Sequence, residues 1–127
     1  MKKEGKKETG RKGEDEACRY LESIGHTILE RNYRKHHTEI DIISLDPCGL
    51  HIVEVKSRTE PSPADPLDNI NALKMRHVTD AALDYLHSAR LPENCDEVFF
   101  DVVSVIFGKE GEVRTEYFPG AYTPTYF

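Results

Sequence analysis

The sequence predicts an α/β fold in which a β-sheet is covered by helices on both faces. Residues 38–58 form two apolar runs joined by an Asp-Pro-Cys-Gly turn, the pattern of a β-hairpin. Both runs carry apolar residues on both sides, as strands inside a helix-covered sheet do. Two other segments, residues 13–24 and 68–89, repeat apolar residues at helical spacing and can supply the covering helices.

Length and charge limit the domain count and the class of function. A chain of 127 residues is the size of one domain, and we assign residues 13–127 to it. The formal net charge of −6 argues against a protein that coats DNA nonspecifically, because such proteins are normally basic. It is compatible with an enzyme acting on nucleic acid, which needs acidic residues at its centre to hold metal.

The first twelve residues are rich in lysine and predict a flexible, basic N-terminal tail. Residues 1–12 would either contact phosphates or remain a solvated, disordered segment, and composition does not separate the two. The charged start lacks the apolar segment of a secretory signal, and no stretch approaches the roughly 20 apolar residues of a membrane span. We therefore expect a cytoplasmic protein without a membrane partner. The cysteines show no disulfide or zinc spacing, which predicts reduced thiols.

The elements before the hairpin are a helix and a strand. Ala17, Leu21 and Ile24 recur at helical spacing over residues 13–24, and a glycine follows. Glu14 lies on the same stripe, so its carboxylate faces either the core side or simply the helix terminus, where the dipole favours an acid. Residues 26–33 are predicted as a strand, followed by a polar turn whose two histidines are expected to be solvated.

The hairpin places acidic residues where strands normally avoid them. Counting outward from its turn predicts the cross-strand pairs Leu45 with Leu50, Ile43 with Ile52, Asp41 with Glu54, and Glu39 with Lys56. The four charged residues should then project from one face. Opposed carboxylates about 5 Å apart would repel by roughly 3 kcal/mol at an effective dielectric near 20. A positive group is therefore expected between Asp41 and Glu54.

The remaining chain alternates loops with one helix and two strands. Residues 59–66 predict a loop, and Asp68 or Asn69 can cap the helix that runs to about residue 89. Its early turns carry Lys74, which could face the acidic end of the hairpin or water. Residues 98–107, interrupted by Asp101, and residues 112–118 are predicted strands, and the tail at 119–127 is expected to pack over a face.

The charged cluster has the residue types of a centre for a hard metal ion. Asp41 and Glu54 can bind one divalent cation with the carbonyl of Val55, and oxygen ligands favour magnesium over zinc. Lys56, about 6.6 Å along the strand from Glu54, can orient or deprotonate water or stabilise charge on a phosphate. Glu14 could hold a second metal ion or an outer water if its helix packs beside the hairpin.

A salt-bridged sheet end is the structural alternative. It would pair Glu39 with Lys56, and Asp41 or Glu54 with Arg34 or Arg58. The combined register, the strand context and the apolar surroundings favour the metal interpretation.

Several motifs together resemble the YraN family of the restriction-endonuclease-like PD-(D/E)xK superfamily, close to archaeal Holliday junction resolvases. They are Glu14 with Ala17 and Leu21, ILERNYR at 28–34, EIDII at 39–43, VEVKSR at 53–58, Lys74, and FDVV at 100–103. The resemblance covers residues 13 to about 118, although Ile40 stands where the superfamily name has proline. It implies a central mixed β-sheet flanked by α-helices, with the nuclease positions at Glu14, Asp41, Glu54 and Lys56.

We therefore expect a DNA endonuclease dependent on Mg²⁺ or Mn²⁺, with branched or damaged DNA as candidate substrates. Because resolvase-like enzymes cut two strands, a homodimer is also expected. One alternative is a nucleic-acid-binding module without chemistry, which would bind through its tail and the basic residues Arg34, Lys35, Arg58 and Lys74. The other is an interaction protein whose acidic residues are structural.

Overall fold

A single five-stranded sheet, in the spatial order β1-β2-β3-β4-β5, forms the centre of the computed structural model. The elements along the chain are α1 (Lys2–Ser23), β1 (Thr27–Lys35), β2 (Thr38–Asp46), β3 (Gly49–Thr59), α2 (Ala72–Ser88), β4 (Val98–Phe107) and β5 (Val113–Phe118). β3 and β4 are parallel and the other neighbours are antiparallel, so the sheet is mixed. The structure describes residues 2–61, 67, 72–88, 91 and 97–122.

The two helices cover opposite faces of the sheet. On one face, Ala17 and Leu21 of α1 pack against buried residues that include Ile42 and Val53. On the other, residues of α2 such as Tyr85 pack against a second buried cluster of strand residues. The predicted α/β fold with a central mixed β-sheet flanked by α-helices is confirmed, and the arrangement is consistent with a restriction-endonuclease-like fold.

The predicted hairpin register is confirmed around the turn and fails at its charged end. Ile43 pairs with Ile52, and the pairing between β2 and β3 stops at Ile42 and Val53. The sequence predicts Asp41 and Glu54 as ladder partners, but the structure does not pair them. The Asp41 carboxylate Oδ2 instead accepts a hydrogen bond of 2.8 Å from the backbone N–H of Val55. This contact takes up a strand amide and ends the ladder.

The alternation along the hairpin also predicts one shared apolar face for Ile40 and Ile42. That prediction and the predicted pairing of Glu39 with Lys56 are both wrong. Ile40 belongs to the cluster under α2, whereas Ile42 faces α1, so the two do not share one face. The ladder between β2 and β3 stops at Ile42 and Val53, so Glu39 and Lys56 are not paired with each other.

Helix α1 begins at Lys2 instead of Gly13, so the first turns occupy the segment predicted as a flexible tail. The sequence offered no apolar stripe there. Lysine and glutamate are good helix formers, and Glu8 and Lys12 form an i,i+4 ion pair of 3.3 Å. At the other end, Gly25 has φ of +101° and terminates the helix, as predicted. Ile24 was expected in the apolar stripe but is 46% exposed.

Glycine 13 sets how closely α1 approaches the sheet. A Cβ atom at this position would collide with the side chain of Ser57 on β3. The backbone of α1 therefore lies directly against the end of β3 that follows Glu54 and Lys56. A role for Glu14 required that its helix pack beside the hairpin, and α1 does so at that end.

The other boundaries agree with the sequence within a few residues. β4 spans the predicted range, and β5 begins one position later than expected. Parts of two predicted segments lie outside the described residues. They are residues 62–66 of the loop predicted at 59–66, and residues 68–71 at the start of the second predicted helix. Of the tail, residues 119–122 are described, and the ring of Tyr122 packs 5.3 Å from that of Phe100, as expected for a tail that covers a face. In the described part of the chain, no helix is both long and apolar enough to cross a membrane.

Candidate functional site

A cleft of about 200 Å³ opens at the sheet end where β2 and β3 part. Asp41 comes from β2, Glu54 from β3, and Lys74 from the first turn of α2. The sequence allowed Lys74 to face either the acidic end of the hairpin or water. The packing of α2 on the sheet brings it to the acidic end. The cleft thus joins two predicted site carboxylates with one predicted nucleic-acid-binding lysine.

Asp41 is the most perturbed carboxyl group in the cleft. Burial raises its pKa, the hydrogen bond from Val55 opposes that, and Glu54, Glu14 and Glu39 raise it further, to about 6. Three neighbouring carboxylates therefore act on one buried carboxylate. A group in this environment is stabilised as an anion when a cation lies beside it.

Glu54 supplies the second carboxylate and is already in contact with lysine ammonium groups. Its Oε1 forms an ion pair with Nζ of Lys74, and Nζ of Lys56 lies 3.7 Å from the same oxygen. Lys56 and Glu54 are two residues apart on β3 and share a face, as predicted. The positive charge expected near Asp41 and Glu54 is thus provided by Lys56 and Lys74, both bound to Glu54.

Glu14 lies close enough to act on Asp41 electrostatically but is engaged elsewhere. Its Oε1 accepts hydrogen bonds of 3.1 Å from Arg31 Nε and 3.0 Å from Asn32 Nδ2, both on β1. The neighbouring pair in the sheet, Arg31 with Ile42, puts this part of β1 alongside Asp41. Glu14 therefore borders the cluster from the α1 side, held by two β1 side chains.

The pairs of the salt-bridge alternative do not form among the described residues, and Glu39 pairs with Arg34 instead of Lys56. Arg34 Nη2 lies 3.0 Å from Glu39 Oε2, and none of the ion pairs among the described residues joins Asp41 or Glu54 to Arg34 or Arg58. Of the predicted nucleic-acid-binding residues, Lys35 pairs with Asp84 of α2 at 3.4 Å, and Arg58 follows Lys56 on the same face of β3.

A second polar cluster is buried on the face covered by α1, and sequence patterns did not predict it. Its members are His26, Ser44, Asp46, His51, Asp101 and Tyr117. The rings of His26 and His51 lie 4.4 Å apart. One ligand atom each from His26, Asp46 and His51 lies within 4.8 Å of the others, so these three residues could hold a metal ion.

The two histidines differ in how the fold treats their charged forms. Burial lowers the pKa of His26, and the neighbouring His51 lowers it further. Burial also disfavours charge on His51, but the neighbouring carboxylates of Asp101 and Asp46 outweigh it and raise its pKa. Two features of the sequence pointed to this cluster: His51 lies inside an apolar strand, and Asp101 interrupts β4. Neither feature indicates which residue the side chain contacts.

Comparison with known proteins places the chain in a family. The model of the "Uncharacterised protein family UPF0102" matches residues 13–105, which include both clusters up to Asp101. A UPF0102 protein of Chlorobium chlorochromatii is 42% identical over 111 residues, covering 87% of this chain and 84% of the relative. One from Desulforamulus reducens is 38% identical over 112 residues, covering 86% and 89%. The resemblance to the YraN family is therefore confirmed, and the chain belongs to the UPF0102 family.

Proposed function

We propose that this protein is a metal-dependent endonuclease of the PD-(D/E)xK superfamily that hydrolyses phosphodiester bonds of DNA, including branched or damaged DNA. The observation that carries the proposal is the cluster of Asp41, Glu54, Lys56 and Lys74 at the open end of two buried strands. The catalytic unit would be a single nuclease-like domain of residues 13–127 acting in the cytoplasm.

The residues of the cleft fit a divalent cation with hard ligands. The amide of Val55 fixes the carboxylate of Asp41 through one oxygen, and the excess of negative charge around Asp41 favours a bound cation. Asp41, Glu54 and the Val55 carbonyl offer oxygen ligands, which suit Mg²⁺ or Mn²⁺. Glu14 would hold a second ion or an outer water from the α1 side. The bound ion would supply Lewis acidity at the phosphate.

The lysines of the cluster would position water and stabilise phosphate charge. Lys56 is 3.7 Å from Glu54, which places its ammonium group beside the carboxylate that would hold the ion. From there it can orient or deprotonate the attacking water. Lys74 approaches from α2, across the cleft, and its charge would stabilise the negative charge that develops on the phosphate.

A groove connects this cleft to the β1–β2 turn and would give a nucleic-acid strand its path. The cleft shares Glu39, Lys74 and Val78 with a neighbouring depression. The neighbouring depression shares His37 and His77 with a third depression. Lys35 lines this third depression. Arg34 lies near the end of β1, and Arg58 lies near the end of β3. Both would contact phosphates outside the groove. Cutting both strands of a branched substrate would require two chains, so we propose a homodimer.

One observation favours the alternative of a nucleic-acid-binding module without chemistry. Glu54 is neutralised by two lysines, and a carboxylate in such an ion-pair cluster is a weaker metal ligand than a free one. A binding module would retain salt-sensitive affinity for DNA and would not respond to divalent cations.

The direct test is cleavage of supercoiled plasmid and of a four-way junction with Mg²⁺ or Mn²⁺. We expect cutting by the wild type, and loss of more than about 100-fold in rate for Glu54→Gln and for Lys56→Ala, because each removes a group acting at the reaction centre. Glu110→Gln and Lys109→Ala change exposed residues of the β4–β5 turn and should cut normally. Cleavage by both site variants at the wild-type rate would overturn the proposal, and DNA binding without cleavage would support the alternative.

A further inference from the structure

The polar cluster beneath α1 has the construction of a transition-metal site, independent of the proposed nuclease centre. It joins His26, the residue before β1, to Asp46 at the end of β2 and His51 on β3. His26 and His51 are buried, whereas the side chain of Asp46 is 18% exposed. The cluster lies on the opposite face of the sheet from the α2 cleft, so the two sets of ligands do not overlap.

Each of the three side chains is held in place by a contact outside the set. Ser44 Oγ lies 2.8 Å from Nδ1 of His26, and Asp101 Oδ2 lies 2.6 Å from Nδ1 of His51. Asp46 Oδ1 accepts hydrogen bonds from the backbone amides of Cys48 and Gly49 at 2.9 and 3.1 Å. Both histidines therefore use Nδ1 for a supporting contact and keep Nε2 toward Asp46.

Asp101 is itself fixed, which completes a carboxylate–histidine arrangement. Tyr117 donates its hydroxyl hydrogen to Asp101 Oδ2 at 2.6 Å, and the amide of Gly120 donates to Oδ1 at 2.8 Å. Histidine ligands of metals commonly donate their other ring N–H to a carboxylate, which fixes the tautomer and the ring orientation. The His51–Asp101 pair has that form.

The Nε2 atom of His51 is buried and makes no hydrogen bond among the described residues. It lies 2.9 Å from Asp46 Oδ1. His26 Nε2 lies 3.6 Å from Asp46 Oδ2. Tetrahedral ligands with bonds near 2.0–2.1 Å are separated by about 3.3 Å. The distances from the two Nε2 atoms to the Asp46 carboxylate fall on either side of that value, and all three ligand atoms lie within 4.8 Å of one another.

We propose that His26, His51 and Asp46 bind one Zn²⁺ ion through Nε2, Nε2 and Oδ2, with water as the fourth ligand. Two imidazoles and one carboxylate suit zinc better than magnesium, which prefers all-oxygen sites. The exposed edge of Asp46 gives the ion a route from solvent. Because the ligands come from the turn between α1 and β1, from β2 and from β3, the ion would fasten that turn to the hairpin.

The experiment is titration of the metal-stripped, full-length protein with Zn²⁺, followed by calorimetry and by ¹⁵N chemical shifts of the histidine rings. We expect one ion per chain, a rise in melting temperature with zinc concentration, and perturbation of Nε2 in both histidines. Asp46→Asn keeps an oxygen for the two backbone amides but loses the anionic ligand. Changes to residues that support metal ligands typically weaken metal affinity by about 10- to 100-fold. The loss of zinc affinity in Asp46→Asn should be larger than that, because a ligand itself is altered.

Three variants make the result specific. His26→Phe should abolish binding, whereas Cys48→Ser, in the same turn as Asp46, should leave it unchanged. Glu54→Gln should also bind zinc normally, because it alters only the nuclease cleft, and so failure of one site is distinguishable from failure of the other. Zinc binding that is absent in the wild type, unaffected by Asp46→Asn, or lost in Cys48→Ser would overturn the inference.

Discussion

At the scale of single residues, Asp41 connects the fold to the proposed chemistry. Its carboxylate ends the β2–β3 ladder by accepting the Val55 amide, and the same carboxylate is buried beside three other acids. Such a group is unfavourable for the fold as an anion and favourable for binding a cation. Functional sites are where perturbed carboxylates of this kind cluster.

The pKa of Asp41 predicts a stability change that depends on pH. The pKa is raised from 3.8 to about 6, so the folded protein holds the proton more tightly than the unfolded chain. The resulting stabilisation is present below the unfolded value and is lost as the pH rises through about 6. At pH 7.5 without divalent cations, Asp41→Asn should therefore raise the free energy of unfolding, by about 1 to 3 kcal/mol.

Urea denaturation at pH 7.5 and near pH 4 measures this effect. The gain should shrink at the lower pH, because Asp41 is then protonated in the folded state. Asparagine retains an oxygen for the Val55 amide, and Glu110→Gln serves as an exposed control. A variant less stable than the wild type at pH 7.5, or equally stabilised at both pH values, would contradict the assigned environment of Asp41.

At the scale of elements, the contact of α1 with β3 brings Glu14 to the cluster. Gly13 permits that approach because its missing Cβ leaves room for Ser57. Strand divergence at Asp41 and helix docking at Gly13 occur at the same end of the sheet. The site is therefore made by β2, β3 and both helices, and its precision depends on how closely α1 lies on the sheet.

Gly13→Ala should destabilise the protein by about 1 to 3 kcal/mol, because the added methyl group collides with Ser57 in a packed interface. Gly10→Ala is the matched control: nothing lies within 4 Å of a Cβ there, and alanine favours the helix, so it should stabilise by up to about 1 kcal/mol. Urea denaturation compares the two. Ser57→Gly in the Gly13→Ala background should restore stability, and equal effects of the two alanine variants would refute the close approach.

At the scale of the whole molecule, local patterns predicted the architecture better than the site. Alternating and helical apolar spacing gave the sheet, the hairpin turn and α2, because burial of one or both faces dictates those patterns. The start of α1 was not predictable in the same way, since its first turns are helical without an apolar stripe. The end of the β2–β3 ladder depends on a side-chain contact with a backbone amide, which no periodicity encodes.

The histidine cluster was missed for a related physical reason. Asp46 and His51 lie on the two strands of one hairpin, but His26 precedes β1 and Asp101 lies on β4, and these two reach the pair only because the strands align in the sheet. Counting from the turn brought Asp41 and Glu54 to the same end of the hairpin, although the structure does not make them a ladder pair. Acidic residues in strand positions drew attention to that end, whereas no pattern linked Asp46 and His51 to each other or to their partners on other segments.

The most direct test of the central claim is Mn²⁺ binding to the metal-stripped protein, followed by electron paramagnetic resonance and calorimetry. The Asp41–Glu54 cleft should bind Mn²⁺ in competition with Mg²⁺, and Glu54→Gln should abolish this binding while Asp46→Asn leaves it intact. Binding should weaken as the pH falls through about 6, because a proton on Asp41 displaces the ion. Manganese affinity that is unchanged in Glu54→Gln would contradict the account.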